Sequence, residues 1–280
     1  MKINVLTYNL SWATQINKAS GSEANFVKEC QRIYKKGGKT CTKNAIKGIK
    51  NLKEIHLMGI QEVNSNIESK IKKIKPNLKK YKRGTIKSET LSIIWDPNIF
   101  GKFIHKVVFN LDKYSRPCLI LLTKKNSQYF ILINMHAPHN LKLLSKYLSK
   151  HLSSPSINEM KEPYNIIKDK LLDTDTKIIV MGDFNDHKFL ITKSKPLTFK
   201  VRNKKLSIKH NKSKKELKKS LRSCCWHDKS NHYFKQAGDY ILTNNQVKQL
   251  NMYIPYPFNK TTRSSNMSSD HKPVMSELEL

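Results

Sequence analysis

Acidic residues are scarce in this 280-residue chain, where 21 Asp and Glu stand against 53 Lys and Arg for a formal net charge of +32. So large a surplus points first to a polyanionic partner. Only six of the basic residues are arginine, and Asn and Ile are frequent, as AT-rich coding would also produce. Such coding bias enriches lysine without removing acids, so the shortage of acids favours a functional basic surface. Glycine and proline are few (9 and 10) beside 38% hydrophobic and 9% aromatic residues, which excludes collagen-like, low-complexity and wholly disordered chains. The five cysteines are an odd set without a CxxC pair, against a zinc ribbon or a disulfide scaffold. Buried or free thiols in a reducing compartment are expected, although Cys30 and Cys41 could bridge a loop and Cys224 and Cys225 are adjacent. No apolar run approaches the ~18 residues of a membrane span. The opening MKINVLTYNLSW is too short and polar for a signal core, so an intracellular location, cytoplasm or nucleus, is expected.

What remains is a chain long enough for one large layered domain, preferred over two. Ile3 to Tyr8 reads as a buried strand, and Glu23 to Tyr34 has helical spacing up to Gly37-Gly38. A helix over Asn44 to Leu52 leads into a strand from His56 to Ile60. Further strands are expected at Leu91 to Trp95, Lys106 to Phe109, Cys118 to Thr123, Phe130 to Met135, Lys177 to Met181 and Asp239 to Thr243. Leu141 to His151 and Tyr164 to Leu172 read as helices. Meander-like strands after a strand-helix-strand opening argue for a mixed α/β layered fold. Lysine-dense stretches at Lys70 to Lys87 and Lys200 to Lys219 stand out, the second as an exposed basic insertion spanning about 196–222.

Polar residues recur immediately after short apolar strands: Asn9, Glu62, His136, the pair Asp183 and Asn185, and Asp270 with His271. One acid after a strand is commonly a turn or helix cap. Five such positions in one chain suggest strand ends converging on a single cleft.

The segments Thr7-Tyr8-Asn9, Gly59-Ile60-Gln61-Glu62-Val63, Asn134-Met135-His136-Ala137-Pro138, Gly182-Asp183-Phe184-Asn185, Asp239-Tyr240-Ile241-Leu242 and Ser269-Asp270-His271 appear in a telling order. The ordered set resembles the endonuclease/exonuclease/phosphatase superfamily over essentially the whole chain. The resemblance implies a four-layer α/β sandwich, two mixed, mostly antiparallel sheets packed face to face with outer helices (deoxyribonuclease I-like). It also implies a metal site at one edge and a metal-dependent phosphoric-ester hydrolase.

Asn9 and Glu62 offer hard oxygen ligands suited to Mg²⁺, with Mn²⁺ a possible substitute, and Asp270 adds a third or acts through water. By the family pattern Asp183 orients or deprotonates the attacking water, Asn185 contacts phosphate, and His271 is oriented by Asp239. Asp183 and Asn185 are expected to reach one pocket from an extended strand end. His136 resembles the deoxyribonuclease I branch, in which Glu89 would be its partner, although Glu89 also reads as an ordinary surface acid. Arg116 falls where that branch places a phosphate-contacting arginine. Trp226 could stack on a base or sugar, or pack in the core. Asn134 could simply satisfy backbone groups, and His139 and His187 read as turn residues.

The expected activity is Mg²⁺-dependent hydrolysis of phosphodiester bonds in nucleic acid, most directly DNA. The alternatives are a phosphoinositide or other phosphate-ester phosphatase of the same superfamily, and a non-catalytic nucleic-acid-binding protein.

Overall fold

In the computed structural model, apolar runs pair into two sheets whose packing follows the alternation of the strands. The structure describes residues 1–18, 24–64, 67–112, 116–153, 162–227, 232–236, 238–260 and 267–280. The first half runs β1 (Lys2–Asn9), α1 (Trp12–Ile16), α2 (Ala24–Ile33), α3 (Gly38–Asn51), β2 (Leu57–Gln61), α4 (Ile67–Ile74), β3 (Lys80–Ile86), β4 (Glu89–Trp95), α5 (Pro97–Phe100), β5 (Lys102–Asn110), β6 (Pro117–Lys125) and β7 (Gln128–His136). Then follow α6 (Leu141–Ser153), α7 (Glu162–Leu172), β8 (Lys177–Asp183), β9 (Leu197–Val201), β10 (Lys204–Ile208), α8 (Lys214–Ser220), β11 (Cys224–His227), β12 (His232–Gln236), β13 (Asp239–Thr243), β14 (Lys248–Tyr253) and β15 (Val274–Glu279).

One sheet has six strands in the order β14-β15-β1-β2-β4-β3, the other five in the order β13-β8-β7-β6-β5. Neighbours are antiparallel except β1 with β2 and β7 with β8. Those two parallel pairs are joined through α1–α3 and α6–α7, as a same-direction return requires. In β1, Ile3 and Val5 face the second sheet while Leu6 and Tyr8 face α3 and α4; in β4, Leu91, Ile93 and Trp95 point inward and Ile94 outward. Strands β6, β7 and β8 are buried on both faces, which explains their continuous apolar stretches. The result is the expected four-layer α/β sandwich.

Three expectations change. The basic insertion is neither an exposed loop nor a tail: β9 and β10 form a hairpin and α8 follows it. Leu197, Phe199, Val201, Ile208, Leu217 and Leu221 join the main core, leaving Lys200, Lys204, Lys205, Lys214, Lys215, Lys218 and Lys219 in solvent. The lysines hid a period-two apolar face. Within Lys70 to Lys87, buried Lys75 donates to the carbonyls of Lys50, Leu52 and Lys53, holding a cation at the C-terminal end of α3. Arg83 pairs with buried Glu68, so neither cation belongs to an open docking surface. Finally, Cys30 and Cys41 are joined as a disulfide rather than free thiols, because α2 and α3 fold back on each other and bring positions 11 apart to a Cα separation of 6.5 Å. Cys118 is a buried free thiol. Among the described residues no helix is long and apolar enough to cross a membrane.

The sheets are stapled together at one end by a polar contact. Buried Asn134 of β7 donates through Nδ2 to the carbonyls of Ile60 and Ser92 (both 2.9 Å) and accepts from Gln61 Nε2 through Oδ1. Gly59 makes room for it, since a Cβ there would sit 3.2 Å from the Asn134 amide. Replacing Asn134 with Ala strands buried partners, so unfolding free energy measured by urea titration should drop by about 2–4 kcal/mol. An unchanged midpoint would contradict the staple.

Candidate active site

Strand direction decides which residues meet. β1 and β2 are parallel and end at Asn9 and Gln61, side by side in register, so Glu62 follows at the same edge. β4 is antiparallel to β2, which brings its first residue, Glu89, to that edge. In the facing sheet β8 lies between β7 and β13, and Asp183 is the register partner of His136 on one side and of Asp239 on the other. Register partners share a face, so three ionisable side chains stand in one row. Gly182 lets this row form, because a Cβ there would meet the Met135 carbonyl oxygen at 2.2 Å.

His271 Nδ1 lies 3.0 Å from Asp239 Oδ2, and its Nε2 lies 3.6 Å from Asp183 Oδ2. His136 Nε2 approaches the same Asp183 oxygen at 3.5 Å, while its Nδ1 is 3.0 Å from Glu89 Oε2 and 3.7 Å from Glu62 Oε1. Asn9 Nδ2 donates to Glu62 Oε1 at 2.9 Å and to Asp183 Oδ2 at 3.3 Å. The other Glu62 oxygen accepts from the Trp12 backbone N–H at 2.8 Å. Asp270 accepts from Ser269 Oγ at 3.3 Å, and that hydroxyl also donates to the Asn9 carbonyl at 2.8 Å.

Burial and charge set the protonation states. Burial disfavours a charged His271 ring, but Asp239, Asp183 and Asp270 outweigh it and hold its pKa well above the ordinary histidine value. For His136, burial and Arg116 oppose the charged ring, and Glu89 with Asp183 tips it upward. Burial raises Asp183, yet His271, His136 and the Asn185 N–H bring it below the usual carboxylate range. Glu62 is likewise lowered, with His136 and the Trp12 N–H overcoming burial. Asp270 is pushed up to about 6 by burial, against the attraction of His271 and with the repulsion of Glu62. Burial also raises Asp239.

Two placements differ from the sequence reading. Asn185 is not a second step along an extended strand: β8 stops at Asp183, and Asn185 turns back with φ of 50°. Its N–H donates to Asp183 Oδ1 at 2.9 Å and its side-chain amide to the Ala137 carbonyl at 2.7 Å, so it braces the acid. Arg116 does not reach outward. Its Nη1 sits 2.8 Å from His136 Nδ1 and 3.3 Å from Glu89 Oε1. Glu89 is therefore a member of the cluster rather than an ordinary surface acid. Of the expected site residues, Trp226 lies in β11, and its side chain falls outside the described part of the structure.

Sequence reading missed several supports. Trp12, 38% exposed, holds Glu62 through its N–H, and Gln15 Nε2 donates to the Glu62 carbonyl at 2.6 Å. Glu62 itself has φ of 55°, an unfavourable conformation for a non-glycine residue that this double tether maintains. Ser11-x-x-Thr14, a helix-start pattern, was the available signal: Ser11 caps α1 and sets Trp12 in place. His139 and His187 are more than isolated turn residues, since their rings stack at 5.6 Å beside the cluster. Cys224 Sγ also approaches His271 Nε2 at 3.8 Å.

The donor set suits a hard divalent cation. Five carboxylates (Glu62, Glu89, Asp183, Asp239 and Asp270) face Arg116, His136 and His271, a surplus of two negative charges when all five are ionised and both rings protonated. Asp239 Oδ1 is buried without a hydrogen-bond partner. Asp183, Asp239 and His271 also present ligand atoms within 4.8 Å of one another.

No protein-family model matches the chain, and no curated protein matches it in sequence. Solved structures do match in shape. ANGEL2, described as a 2′,3′-cyclic phosphatase and solved with adenosine-2′,3′-vanadate, superposes with a TM-score of 0.61 at 14% identity, over 99% of this chain and 95% of that one. An endonuclease/exonuclease/phosphatase protein from Bacteroides vulgatus matches with a TM-score of 0.56 at 15% identity, over 100% and 99%. D. rerio TDP2 complexed with single-strand DNA product gives 0.55 at 14%, over 100% and 99%. At such identities the likeness is one of architecture alone: the chain shares the fold of these endonuclease/exonuclease/phosphatase structures, and the matches cover 99–100% of it.

Proposed function

We propose that this protein is a divalent-metal-dependent phosphodiesterase acting on nucleic acid, most directly DNA, with residues 1–280 forming one catalytic unit. The observation that carries the reading is the buried cluster of five carboxylates and two histidines at one sheet edge of a chain whose net charge is +32. A protein without chemistry to perform has no reason to concentrate its few acids there. Glu62, Asp270 and Asn9 would hold Mg²⁺ or Mn²⁺, and Asn9 would do so by rotating its amide, whose oxygen now accepts from the Ser11 N–H at 3.0 Å. The bound ion would neutralise phosphate charge and stabilise the negative charge that develops on phosphorus oxygens.

The chain's own groups divide the remaining work. Asp183, kept ionised by two histidines, orients a water and takes its proton as the water oxygen forms the new bond to phosphorus. His271, kept protonated by Asp239, donates to the departing ester oxygen or to the phosphate. His136, with Glu89 behind it, stands on the opposite side of Asp183 as a second charged donor. Arg116 is near enough to exchange its contact with Glu89 for phosphate.

A phosphatase reading stays in view because one structural match is described as a 2′,3′-cyclic phosphatase. A panel of duplex, single-stranded and abasic DNA, RNA, poly(A), a 2′,3′-cyclic nucleotide and inositol polyphosphates, in Mg²⁺ and in EDTA, separates the classes. Cleavage of nucleic-acid internal bonds in Mg²⁺, abolished by EDTA, is expected. Turnover confined to the cyclic nucleotide or the inositol phosphates would replace the phosphodiesterase reading.

Separate Glu62→Ala, Asp183→Ala and His271→Ala variants should each cut nucleic-acid turnover by about 10²–10⁴-fold, the range typical of general acid–base groups. Cleavage at the wild-type rate by all three would remove the site assignment.

A further inference from the structure

A second cationic feature lies at the far end of the sandwich. β4 runs from Glu89, beside His136, to Trp95, and β6 runs from next to Arg116 to Lys125. Seven residues of strand span roughly 20 Å. At that distant end a cavity of about 980 Å³ opens where β3, the edge strand of one sheet, meets β5, the edge strand of the other. Lys80, Lys82, Lys102, Lys124 and Lys125 line it, and none of its lining residues is acidic. No ion pair to any of these five lysines is present among the described residues.

The walls are built rather than incidental. Trp95 forms the floor, 1% exposed, with its indole N–H donating to the Gly101 carbonyl at 3.2 Å. Gly101, at φ of 71°, makes the turn that sets Lys102 against the end of β6, and a Cβ there would meet the Lys124 carbonyl at 2.0 Å. Lys125 Nζ donates to the Asn98 carbonyl, and Lys82 lies over the Phe103 ring at 4.2 Å. Ile104, 37% exposed, and the Phe103 ring add an apolar face among the cations, whereas Tyr81, the register partner of the outward-facing Ile94, turns to the other sheet face, where Lys72 Nζ lies 5.6 Å from its ring centroid. Such a cavity is of ligand size, and cations alternating with exposed apolar and aromatic surface suit phosphates with bases between them.

We infer that this cavity is a second nucleic-acid site, binding a short single-stranded segment through backbone phosphates on its lysines and a base against the apolar side chain of Ile104. The inference does not require the cleavage reading. It gives part of the +32 charge a definite place, remote from the reacting phosphate.

The test measures anisotropy of a labelled 12-nucleotide DNA strand in EDTA, across a salt series. The variant K80Q/K102Q/K125Q is compared with K204Q/K205Q/K214Q, which removes the same charge from the β10–α8 face. The pocket variant should bind about tenfold more weakly and lower the salt slope by about 2, at ~0.7 per single-strand phosphate contact. The control should lose threefold or less. Ile104→Ala alone should weaken binding by about fivefold, as loss of a buried apolar contact does. Equal losses in both triple variants, or no loss with Ile104→Ala, would overturn the inference. So would tight binding of free AMP, or of phosphatidylserine vesicles, without strand binding.

Hydrolysis of bis(p-nitrophenyl) phosphate, too small to span both ends, should be unchanged in the pocket variant and the control. Loss of it in the pocket variant alone would overturn the separation of the two sites. If the wild type bound the strand through this pocket yet cleaved no nucleic acid, the proposed activity would fall and the pocket would stand.

Discussion

Asp183 is the point on which the molecule depends. One of its oxygens faces Asn9 from one sheet, His136 from its neighbour strand and His271 from the segment before β15, while the other accepts from Asn185. Removing that carboxylate from water is costly, and His271, His136 and two N–H groups around it offset that cost and lower its pKa. Conversely, against the opposing effect of burial, Asp239 and Asp183 raise the pKa of His271, and Glu89 and Asp183 that of His136. The two sheets thus meet at this end through charge and hydrogen bonds, with the Asn134 staple holding the apolar layers in matching position behind it.

The charge of the chain divides along the same line. The acids that matter are collected where the strands end and are screened from the cationic exterior by burial. Lysines perform three different tasks outside that cluster. Lys75 caps a helix from inside, the β9–α8 lysines solvate an element whose other face is core, and five more line the cavity at the opposite end. A single composition number therefore averages over structural, solubilising and cavity-lining cations.

The candidate residues Asn9, Glu62, His136 and Asp183 were legible in the sequence because each closes or follows a short apolar run, and such runs end at one edge of a sheet, whereas Glu89 and Asp239 open their strands and Arg116 precedes one. The fold was legible for the same reason: β6, β7 and β8 are buried on both faces and read as continuous hydrophobic stretches. What stayed hidden depends on tertiary partners. Strands β9 and β10 were obscured by the exposed Lys200, Lys204 and Lys205, although Leu197, Phe199 and Val201 alternate beneath. The Cys30–Cys41 bond required knowing that α2 and α3 fold back on one another. The tether of Glu62 by the Trp12 N–H lies in the backbone, which no side-chain pattern reports. Asn185 departed from the extended reading because β8 ends two residues earlier than that reading required.

The surplus of two negative charges in a buried site is the central claim, and a divalent ion is what would balance it. Titration calorimetry of Mn²⁺ against the full chain tests it most directly, repeated from pH 5 to pH 8 and with Glu62→Gln. One ion should bind per chain, with affinity falling as pH drops through about 6, where Asp270 takes up a proton that competes with the metal. Glu62→Gln should abolish that binding, whereas undiminished binding to Glu62→Gln, or no binding to the wild type, would contradict the account.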